Sequence, residues 1–517
     1  MRASGDILLI SCYELGHQPF QLASLATMLR QAGYVATPID TSVETLTDEA
    51  IKNARFIAVS VPMHTALRLG EQLALRVRSL NPSAHICFYG LYALLNADHL
   101  LQGSIDSAVG GEYEEPLLKL IAALERGETI QIPGVSTRES ISGPWVQRTA
   151  FVVPDRKPLP ALDRYARLEL NGQTLLAGYT ETTRGCKHTC LHCPITPIYH
   201  GRFFAVPAEI VLADIRTQVA QGARHITFGD PDFFNGPTHA MRIVRAVHQE
   251  FPEVTFDATI KIEHLLKHRR LLSELKECGC AFVVSAVESL NDTVLQHLDK
   301  GHTRADVAEA FDLMESVGIT LRPSLMPFSP WETLESYIEL LDFFEERRLV
   351  EHIDPVHFSI RLLIPPGSAL LDIQTSNAAR PGASLSDELS EAQASHSDEP
   401  KASCDSSVAR RNKIRFASAG LKGSLDAPGI HAWLGELDPT SYTYRWRHPD
   451  PRMDDLQHKV AVVVEEAQRN QADPIEIFFN IKALSLAANG QDMSVSRAIE
   501  DYGTGKVLPH LTESWFC

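Results

Sequence analysis

The sequence predicts an α/β protein with an N-terminal doubly wound domain, a partial (β/α)6 barrel and a small C-terminal helical module. Three observations support this fold class. Apolar runs of strand length alternate with segments of helical period through residues 6–124 and again through 207–364, which is typical of parallel sheets. A stretch rich in Pro, Ser and Thr at 131–160 separates these two regions. At 517 residues, the chain is long enough for two or three domains with separate cores.

The N-terminal domain is predicted from residues 6–12, a short apolar run that indicates a buried parallel strand. Apolar residues at helical spacing follow within 19–32, and Gly33 is expected to end that helix. In such a sheet, ligands bind beyond the carboxyl ends of the strands. The further elements predicted here are strands at 34–40, 56–62, 85–90 and 106–110, and helices at 64–79 and 114–124.

The barrel is predicted from a second series of alternating elements. A helix at 207–221 starts with a proline, which suits the first turn of a helix. Polar residues at the carboxyl ends of the barrel strands are expected to converge at its mouth. One strand of the barrel precedes this helix and five follow it, which makes six. The five are predicted at 225–234, 256–262, 281–289, 320–328 and 356–364.

Domain bounds follow from these elements and from composition. Residues 371–420 are rich in Ser, Ala and charge with few aromatics, so they cannot bury enough apolar surface to order themselves. The expected regions are the doubly wound domain at 1–130, a linker at 131–170, the barrel at 171–370, a disordered insertion at 371–420, and a C-terminal module with a cysteine tail at 421–517.

Composition excludes several classes of partner. The net charge of −17 argues against a nucleic-acid or anionic-membrane partner, which would need a basic surface. No apolar run reaches eighteen residues and no secretory leader precedes the first strand, so we expect no membrane span. Nine cysteines, an odd and scattered set, do not form a disulfide framework. The cytoplasm is the expected compartment.

Three cysteines near the middle of the chain are the strongest chemical signal. Cys186, Cys190 and Cys193 are separated by three and then two residues, within a turn-prone stretch. A zinc site would need a fourth ligand, for which His188 and His192 are available. A [4Fe–4S] cluster needs only these three thiolates and leaves its fourth iron open for a substrate chelate. We favour the cluster and keep zinc as the alternative.

This C-x3-C-x2-C motif resembles the cluster motif of radical S-adenosylmethionine (SAM) enzymes. The resemblance implies that the open iron chelates the amino and carboxylate groups of SAM, and that one electron cleaves the sulfonium to a 5′-deoxyadenosyl radical. Cys186, Cys190 and Cys193 match the motif one by one. His192 stands where many members carry an aromatic residue.

The same resemblance implies binding residues for SAM at the ends of the barrel strands. Gly229 and Asp230 occupy the place that contacts the amino group of SAM in this family. Ser285 and Glu288, followed by Lys-Gly-His-Thr at 300–303, look like the ribose and carboxylate site of the cobalamin-type subclass. Without the preceding cysteine motif, Glu288 would read as a solvated carboxylate at a strand end.

Two arginines on later strands are further candidates. Arg322 and Arg361 each occupy one inward position among apolar neighbours. Either could hold the carboxylate of SAM in a bidentate contact. The alternative for both is a buried ion pair with another side chain.

The N-terminal half resembles the cobalamin-binding domain that precedes the barrel in a large subclass. The turn at 109–114 looks like the closing Gly-Glu-x-Glu signature of that domain. The usual Asp-x-His-x-x-Gly, which supplies a histidine to cobalt, is replaced by Ser-Cys-Tyr-Glu-Leu-Gly-His at 11–17. His17 is therefore the candidate cobalt ligand. Cobalamin bound without a protein ligand, and a relic domain in which His17 is an ordinary loop residue, are the alternatives.

The end of the chain, Trp-Phe-Cys at 515–517, resembles the start of a Cys-Sec-Ala-Glu-Pro or Cys-Cys-Ala-Glu-Pro tail in one family of radical SAM proteins. The hypothesis is that the sequence stops at a UGA codon that encodes selenocysteine. Cys517 would then be a soft redox or metalloid-binding group at the catalytic centre. A frayed terminus with an incidental thiol is the alternative.

These inferences favour an enzyme that transfers a SAM-derived carbon group, by methylation or related bond formation, to a small molecule. Its cofactors would be a [4Fe–4S] cluster, SAM and, in one reading, cobalamin, with ferredoxin or flavodoxin as the reductant. One rival reaction transfers the 3-amino-3-carboxypropyl group of SAM to a soft acceptor such as trivalent arsenic, as in arsinothricin biosynthesis. A non-catalytic iron–sulfur or corrinoid sensor is the other rival.

Overall fold

The structure, a computed structural model, describes residues 1–376 and 432–513. Most of the insertion predicted at 371–420 and the terminal Cys517 lie outside the described residues. Within the described part of the chain, no helix is long and apolar enough to cross a membrane.

The N-terminal domain is built on a six-stranded sheet of order β2-β1-β3-β4-β5-β6, in which β6 alone is antiparallel to its neighbour. Every residue of β1 and β3 is buried, as expected for central strands covered on both faces. Its strands are β1 (Ile7–Ser11), β2 (Ala36–Asp40), β3 (Phe56–Ser60), β4 (His85–Tyr89), β5 (Ser107–Val109) and β6 (Val135–Thr137).

Helices cover both faces of this sheet and end where the sequence indicates. Gly33 has φ 83° and follows the first helix directly, so a left-handed residue stops it. The helices are α1 (Phe20–Gln31), α2 (Asp48–Asn53), α3 (His64–Leu80), α4 (Leu91–Leu95), α5 (Ala97–Leu100) and α6 (Glu114–Arg126). The doubly wound prediction is confirmed, and β6 shows that the sheet extends into the segment predicted as linker.

The second domain contains a seven-stranded sheet of order β14-β13-β12-β11-β8-β7-β17, curled into a half-barrel. Strands β8 and β11 to β14 are parallel, whereas β7 and β17 run antiparallel to their neighbours at the other edge. The strands of this domain are β7 (Arg167–Leu170), β8 (Gln173–Thr180), β9 (Thr183–Gly185), β10 (Phe203–Ala205), β11 (His225–Phe228), β12 (Thr255–Thr259), β13 (Cys280–Glu288) and β14 (Thr320–Leu325).

The prediction of a sixth parallel strand at 356–364 is wrong. Pro355 fixes its own φ and opens a short 3-10 helix, Pro355–Phe358, so the chain is not extended there. Only one β-bridge, Phe328 to Arg361, joins the later part of the segment to the barrel. Ile364 instead exchanges hydrogen bonds with residues 443 and 444 of the C-terminal module. The half-barrel therefore has five parallel strands.

Helices pack on the outside of the half-barrel and share one apolar core with the C-terminal module. The barrel helices are α7 (Thr196–Tyr199), α8 (Ala208–Ala220), α9 (Pro237–Glu250), α10 (Ile262–Lys267), α11 (Leu272–Glu277), α12 (Asp292–His297), α13 (Arg304–Ser316) and α14 (Leu334–Glu346). The module adds β15 (Leu434–Asp438), β16 (Thr443–Trp446), α15 (Pro451–Asn470), α16 (Pro474–Ala488), α17 (Val495–Tyr502) and β17 (His510–Leu511).

A buried arginine joins the two large domains. The guanidinium of Arg156, in the predicted linker, donates to both carboxylate oxygens of Asp214 on α8 at 2.7 and 2.8 Å. It also donates to Gln18 of the first domain at 3.0 Å and to the carbonyl of Tyr179 on β8 at 2.6 Å. The side chains of Arg156 and Asp214 are 0% and 1% exposed, so this contact fixes the domain joint away from water.

Candidate active site

The three motif cysteines lie on one loop at the carboxyl side of the half-barrel, between β9 and α7. Cys186 and Cys190 are buried, Cys193 is partly buried, and all three are free thiols. Gly185, which leads into the loop, has φ 77°, and a Cβ there would lie 2.5 Å from the carbonyl oxygen of Arg202. Only glycine therefore fits this entry turn.

Two polar side chains from neighbouring strand ends contact this loop. Asn235, after β11, accepts from the thiol of Cys186 at 3.6 Å and from the backbone N–H of Lys187 at 3.2 Å. The ammonium of Lys261, after β12, lies 3.7 Å from the sulfur of Cys190. Sequence reasoning noted Lys261 only as a strand end and did not single out Asn235.

Burial makes these thiols reluctant to ionise on their own. It raises the pKa of Cys186 to about 11 and, with the other cysteines adding to the effect, the pKa of Cys193 to about 12. Metal ions bind the thiolate form, so a bound cation would supply the charge that favours deprotonation.

Glu288 ends β13 in an unusual backbone conformation, with φ 67°. Its carboxylate accepts from Lys300 at 3.0 Å and contacts the imidazole of His192 at 3.3 Å. Burial alone would raise the pKa of Glu288, but Lys300 and His192 hold it well below its usual range. A positive φ at a non-glycine residue is strained, and such strain is frequent at ligand-binding positions. The hydroxyl of Ser285 on the same strand has no hydrogen-bond partner among the described residues.

Gly229 and Asp230 lie at the end of β11 but are engaged with the neighbouring strand. Asp230 accepts from the backbone and hydroxyl of Thr182 at 2.9 and 2.7 Å, and from the hydroxyl of Thr183 at 2.6 Å. Burial raises the pKa of Asp230 to about 6. A Cβ at Gly229 would overlap the hydroxyl of Tyr179. In this conformation Asp230 positions the segment before the cysteine loop.

The two candidate arginines are both in ion pairs. Arg322 pairs with Asp354 at 2.7 Å. Arg361 pairs with Asp454 at 2.6 Å and stacks on the ring of Trp446, 3.5 Å from its centroid. A contact with the carboxylate of SAM would compete with these pairs, so the clamp remains a prediction for either residue.

His17 lies at the contact between the two domains, 5% exposed, with its ring 4.8 Å from that of Tyr179. Its Nε2 has no hydrogen-bond partner among the described residues. Burial lowers the pKa of His17 to about 4, so the ring is neutral at physiological pH.

A buried carboxylate cluster, which sequence reasoning did not assemble, also lies between the domains. Arg184 at its centre donates to Glu181 at 3.0 Å, to Glu112 at 3.3 Å and to Glu114. Burial raises the pKa of Glu112 to about 7 although Arg184 opposes this, and raises the pKa of the adjacent Glu14 to about 8. Glu112 and Glu114 belong to the Gly-Glu-x-Glu turn, which was the available sequence signal.

Replacing Glu14 by glutamine is expected to flatten the pH dependence of stability. The folded pKa of about 8 exceeds the ordinary 4.5, so the folded protein keeps a proton that the unfolded chain releases. Stability therefore falls as pH rises from about 4.5 to 8, by about 5 kcal/mol for the full shift at 1.36 kcal/mol per pKa unit, of which about 3 kcal/mol falls between pH 5.5 and 8. Between pH 5.5 and pH 8, the thermal midpoint of unfolding should fall less for Glu14→Gln than for the wild type. Glu49→Gln, at an exposed position, is the matched control, and equal falls in all three proteins would contradict the expectation.

Comparison with known proteins identifies the barrel domain. The model of the radical SAM superfamily matches residues 180–344. An uncharacterized methyltransferase of Pyrococcus horikoshii is 23% identical over 374 residues, which cover 69% of this chain and 79% of that protein. The radical SAM resemblance inferred from the cysteine motif is thus confirmed. The Cys-Sec-Ala-Glu-Pro tail family stays a prediction.

Two solved structures share the fold. The cobalamin-dependent SAM radical enzyme OxsB, solved with aqua-cobalamin, has a TM-score of 0.65 at 14% identity, covering 96% of this chain and 74% of that one. The radical SAM methyltransferase TsrM of Kitasatospora setae, solved with cobalamin and a [4Fe–4S] cluster, has a TM-score of 0.54 at 17% identity, covering 66% and 73%. At these identities the likeness establishes the arrangement of a doubly wound domain with a half-barrel.

Proposed function

Since the chain carries a radical SAM domain and is an enzyme, we propose that it cleaves SAM and transfers a SAM-derived carbon group to a small molecule. The observation that carries this proposal is the loop with Cys186, Cys190 and Cys193, bordered by Lys261. A reductant such as ferredoxin or flavodoxin follows from the electron that SAM cleavage consumes, and a cytoplasmic location follows from the oxygen sensitivity of the cluster that we propose.

The residues of the cysteine loop fit a [4Fe–4S] cluster. Three free thiols within eight residues are the protein ligands that such a cluster needs when its fourth iron is left to a substrate. His188 and His192, which could complete a zinc site, contact other residues: His188 lies against Asp232 and His264, and His192 against Glu288. When bound, the cluster supplies the electron that cleaves the sulfonium of SAM.

The surrounding residues orient SAM and balance charge. Lys261 carries a positive charge 3.7 Å from the sulfur of Cys190. We assign to the ionised Glu288, which contacts Lys300 and His192, the role of accepting hydrogen bonds from the ribose hydroxyls of SAM. Ser285, on the same strand, has a buried hydroxyl without a hydrogen-bond partner among the described residues, and its contact with SAM stays a prediction. These roles rest on charge and hydrogen-bonding capacity at the strand ends that surround the cysteine loop.

Cobalamin fits less well than the cluster does. A cobalt ligand needs open space at its nitrogen, whereas the ring of His17 is buried against Tyr179. The turn of the Gly-Glu-x-Glu signature is packed against the chain itself, because a Cβ at Gly110 would meet Leu94 and one at Gly111 would meet the carbonyl of Trp145. We therefore derive no step through cobalt.

Product analysis tests the proposal. Protein reconstituted without oxygen should hold about four iron and four sulfide per chain and release 5′-deoxyadenosine and methionine from SAM under dithionite, and transfer of a methyl group from a further SAM should leave S-adenosylhomocysteine. Release of 5′-methylthioadenosine instead would assign 3-amino-3-carboxypropyl transfer. A bound cluster with no SAM cleavage would indicate a sensor, and zinc in place of iron and sulfide would overturn the proposal.

A further inference from the structure

A second group of metal-ligating side chains lies beside the cysteine loop. His188 belongs to that loop, Asp232 follows β11, and His264 lies in the first turn of α10. One side-chain nitrogen or oxygen from each lies within 4.8 Å of the other two. Three separate segments of the chain thus bring two imidazoles and one carboxylate to one point.

The spacing of these atoms suits ligands of a single ion. The Nε2 atoms of His188 and His264 are 3.2 Å apart. Oδ2 of Asp232 lies 3.4 Å from Nε2 of His188 and 2.6 Å from Nδ1 of His264, so a single ion would take Nε2 of His188, Oδ2 of Asp232 and one of the two ring nitrogens of His264. Nitrogen and oxygen ligands at about 2.0–2.1 Å from one metal ion are themselves about 3 Å apart.

The three side chains contact one another at hydrogen-bond distance, and one backbone N–H outside the group holds the carboxylate of Asp232. Oδ1 of Asp232 accepts from the backbone N–H of Phe234, which leaves Oδ2 for the group. Among the described residues, Oδ2 of Asp232 and Nδ1 of His264 have no aligned hydrogen-bond partner, although they are neighbours. Their side chains are 0% and 1% exposed. Burying a carboxylate against an imidazole is costly, and a bound cation that replaces the proton they share would lower that cost.

We propose that His188, Asp232 and His264 bind one divalent transition-metal ion, such as Zn²⁺ or Fe²⁺, separate from the cysteine-bound cluster. Two imidazoles and one carboxylate are a donor set that these ions take, with positions left for water or for a substrate oxygen. His188 is 15% exposed, so the group can be reached from solvent on its side. Oε2 of Glu263, 3.8 Å from Nδ1 of His188, is placed as an outer acceptor that orients this ring.

The ion would tie the cysteine loop to the ends of two barrel strands. His188 sits between the first two cysteines, whereas Asp232 and His264 follow β11 and β12. Loss of the ion would release this link while leaving every sulfur ligand in place. The site thus goes beyond the proposed reaction and can be tested without measuring it.

Zinc is the probe for the test. Wild-type protein with its cluster reconstituted is dialysed anaerobically against micromolar Zn²⁺, and zinc, iron and sulfide are counted. We expect about one zinc per chain with iron and sulfide unchanged. X-ray absorption at the zinc edge should show only nitrogen and oxygen neighbours at about 2.0–2.1 Å, without the sulfur shell near 2.3 Å that zinc on cysteines gives.

Variants locate the ion. His264→Gln and His188→Gln should each lower zinc binding by about tenfold or more, because two ligands remain in either case. The second variant changes a partly exposed loop residue, so it keeps the test valid if the first fails to fold. His268→Gln is the matched control, since this half-buried ring lies 5.6 Å from that of His264 and outside the group. A sulfur shell, no stoichiometric zinc, or equal zinc in all variants would overturn the proposal.

Discussion

Replacing Cys190 by alanine is expected to abolish both cluster assembly and SAM cleavage. A [4Fe–4S] cluster with an open iron has three protein ligands, so the loss of one removes a third of its anchoring. Cys190 is also the ligand beside Lys261. We expect iron and sulfide to fall well below about four per chain, and cleavage of SAM to fall by at least about a thousandfold, or about 4 kcal/mol of barrier.

Cys278→Ala is the control for this prediction. Cys278 is buried in the apolar core of the barrel, 5% exposed, and lies outside the cysteine loop. It should keep its iron, its sulfide and its rate of SAM cleavage. If Cys190→Ala retained a full cluster and wild-type turnover, the assignment of the three thiols would be wrong.

Replacing Arg156 by methionine is expected to give the largest loss of stability. The change leaves the carboxylate of Asp214, 1% exposed, as a buried charge without its main partner. Breaking a buried pair in this way costs about 3–5 kcal/mol, which corresponds to a fall in the thermal midpoint of about 5–15 °C for a domain of this size. Because Arg156 also binds Gln18 and the carbonyl of Tyr179, the joint between the domains should loosen too.

Two further variants separate charge burial from general damage. Adding Asp214→Leu to Arg156→Met removes the stranded charge, so the double variant should recover part of the lost stability. Arg216 lies on α8, as Asp214 does, and forms an exposed ion pair with Glu250 of α9. Arg216→Met breaks this pair and should change the thermal midpoint little. Equal midpoints for Arg156→Met and Arg216→Met would contradict the expected role of the joint.

The alternation of strands and helices could be predicted because the buried strands are short and apolar throughout. Strands β2, β4 and β13 lie within a residue or two of the predicted bounds, since Gly33, Gly90 and Gly279 mark the turns next to them. The strand predicted at 356–364 is absent for a local reason. Its residues are apolar, as in a buried strand, but Pro355 opens a 3-10 helix that continues to Phe358.

The candidate site was predictable only where one short motif contains the chemistry. The three cysteines are close in sequence, so their proximity in space needed no knowledge of the fold. The partners of three other groups depend on the domain contact and on the order of the strands, which sequence patterns do not reveal. These groups are Arg184, Glu112 and the carboxylate of Asp232. For Arg322 and Arg361 the sequence suggested a ligand contact, but each forms an ion pair within the chain. A single arginine in a strand pattern does not show that Asp354 or Asp454 lies beside it in the fold.

The strand β17 has a consequence for how the molecule is made. His510 and Leu511 pair with Glu169 and Leu168, and the backbone N–H of Arg167 donates to the hydroxyl of Thr512, 345 residues further along the chain. A ribosome must therefore synthesise nearly the whole polypeptide before this edge of the half-barrel is covered. Until then, the nascent chain presents an unpaired strand, the kind of edge on which aggregation begins and which chaperones shield.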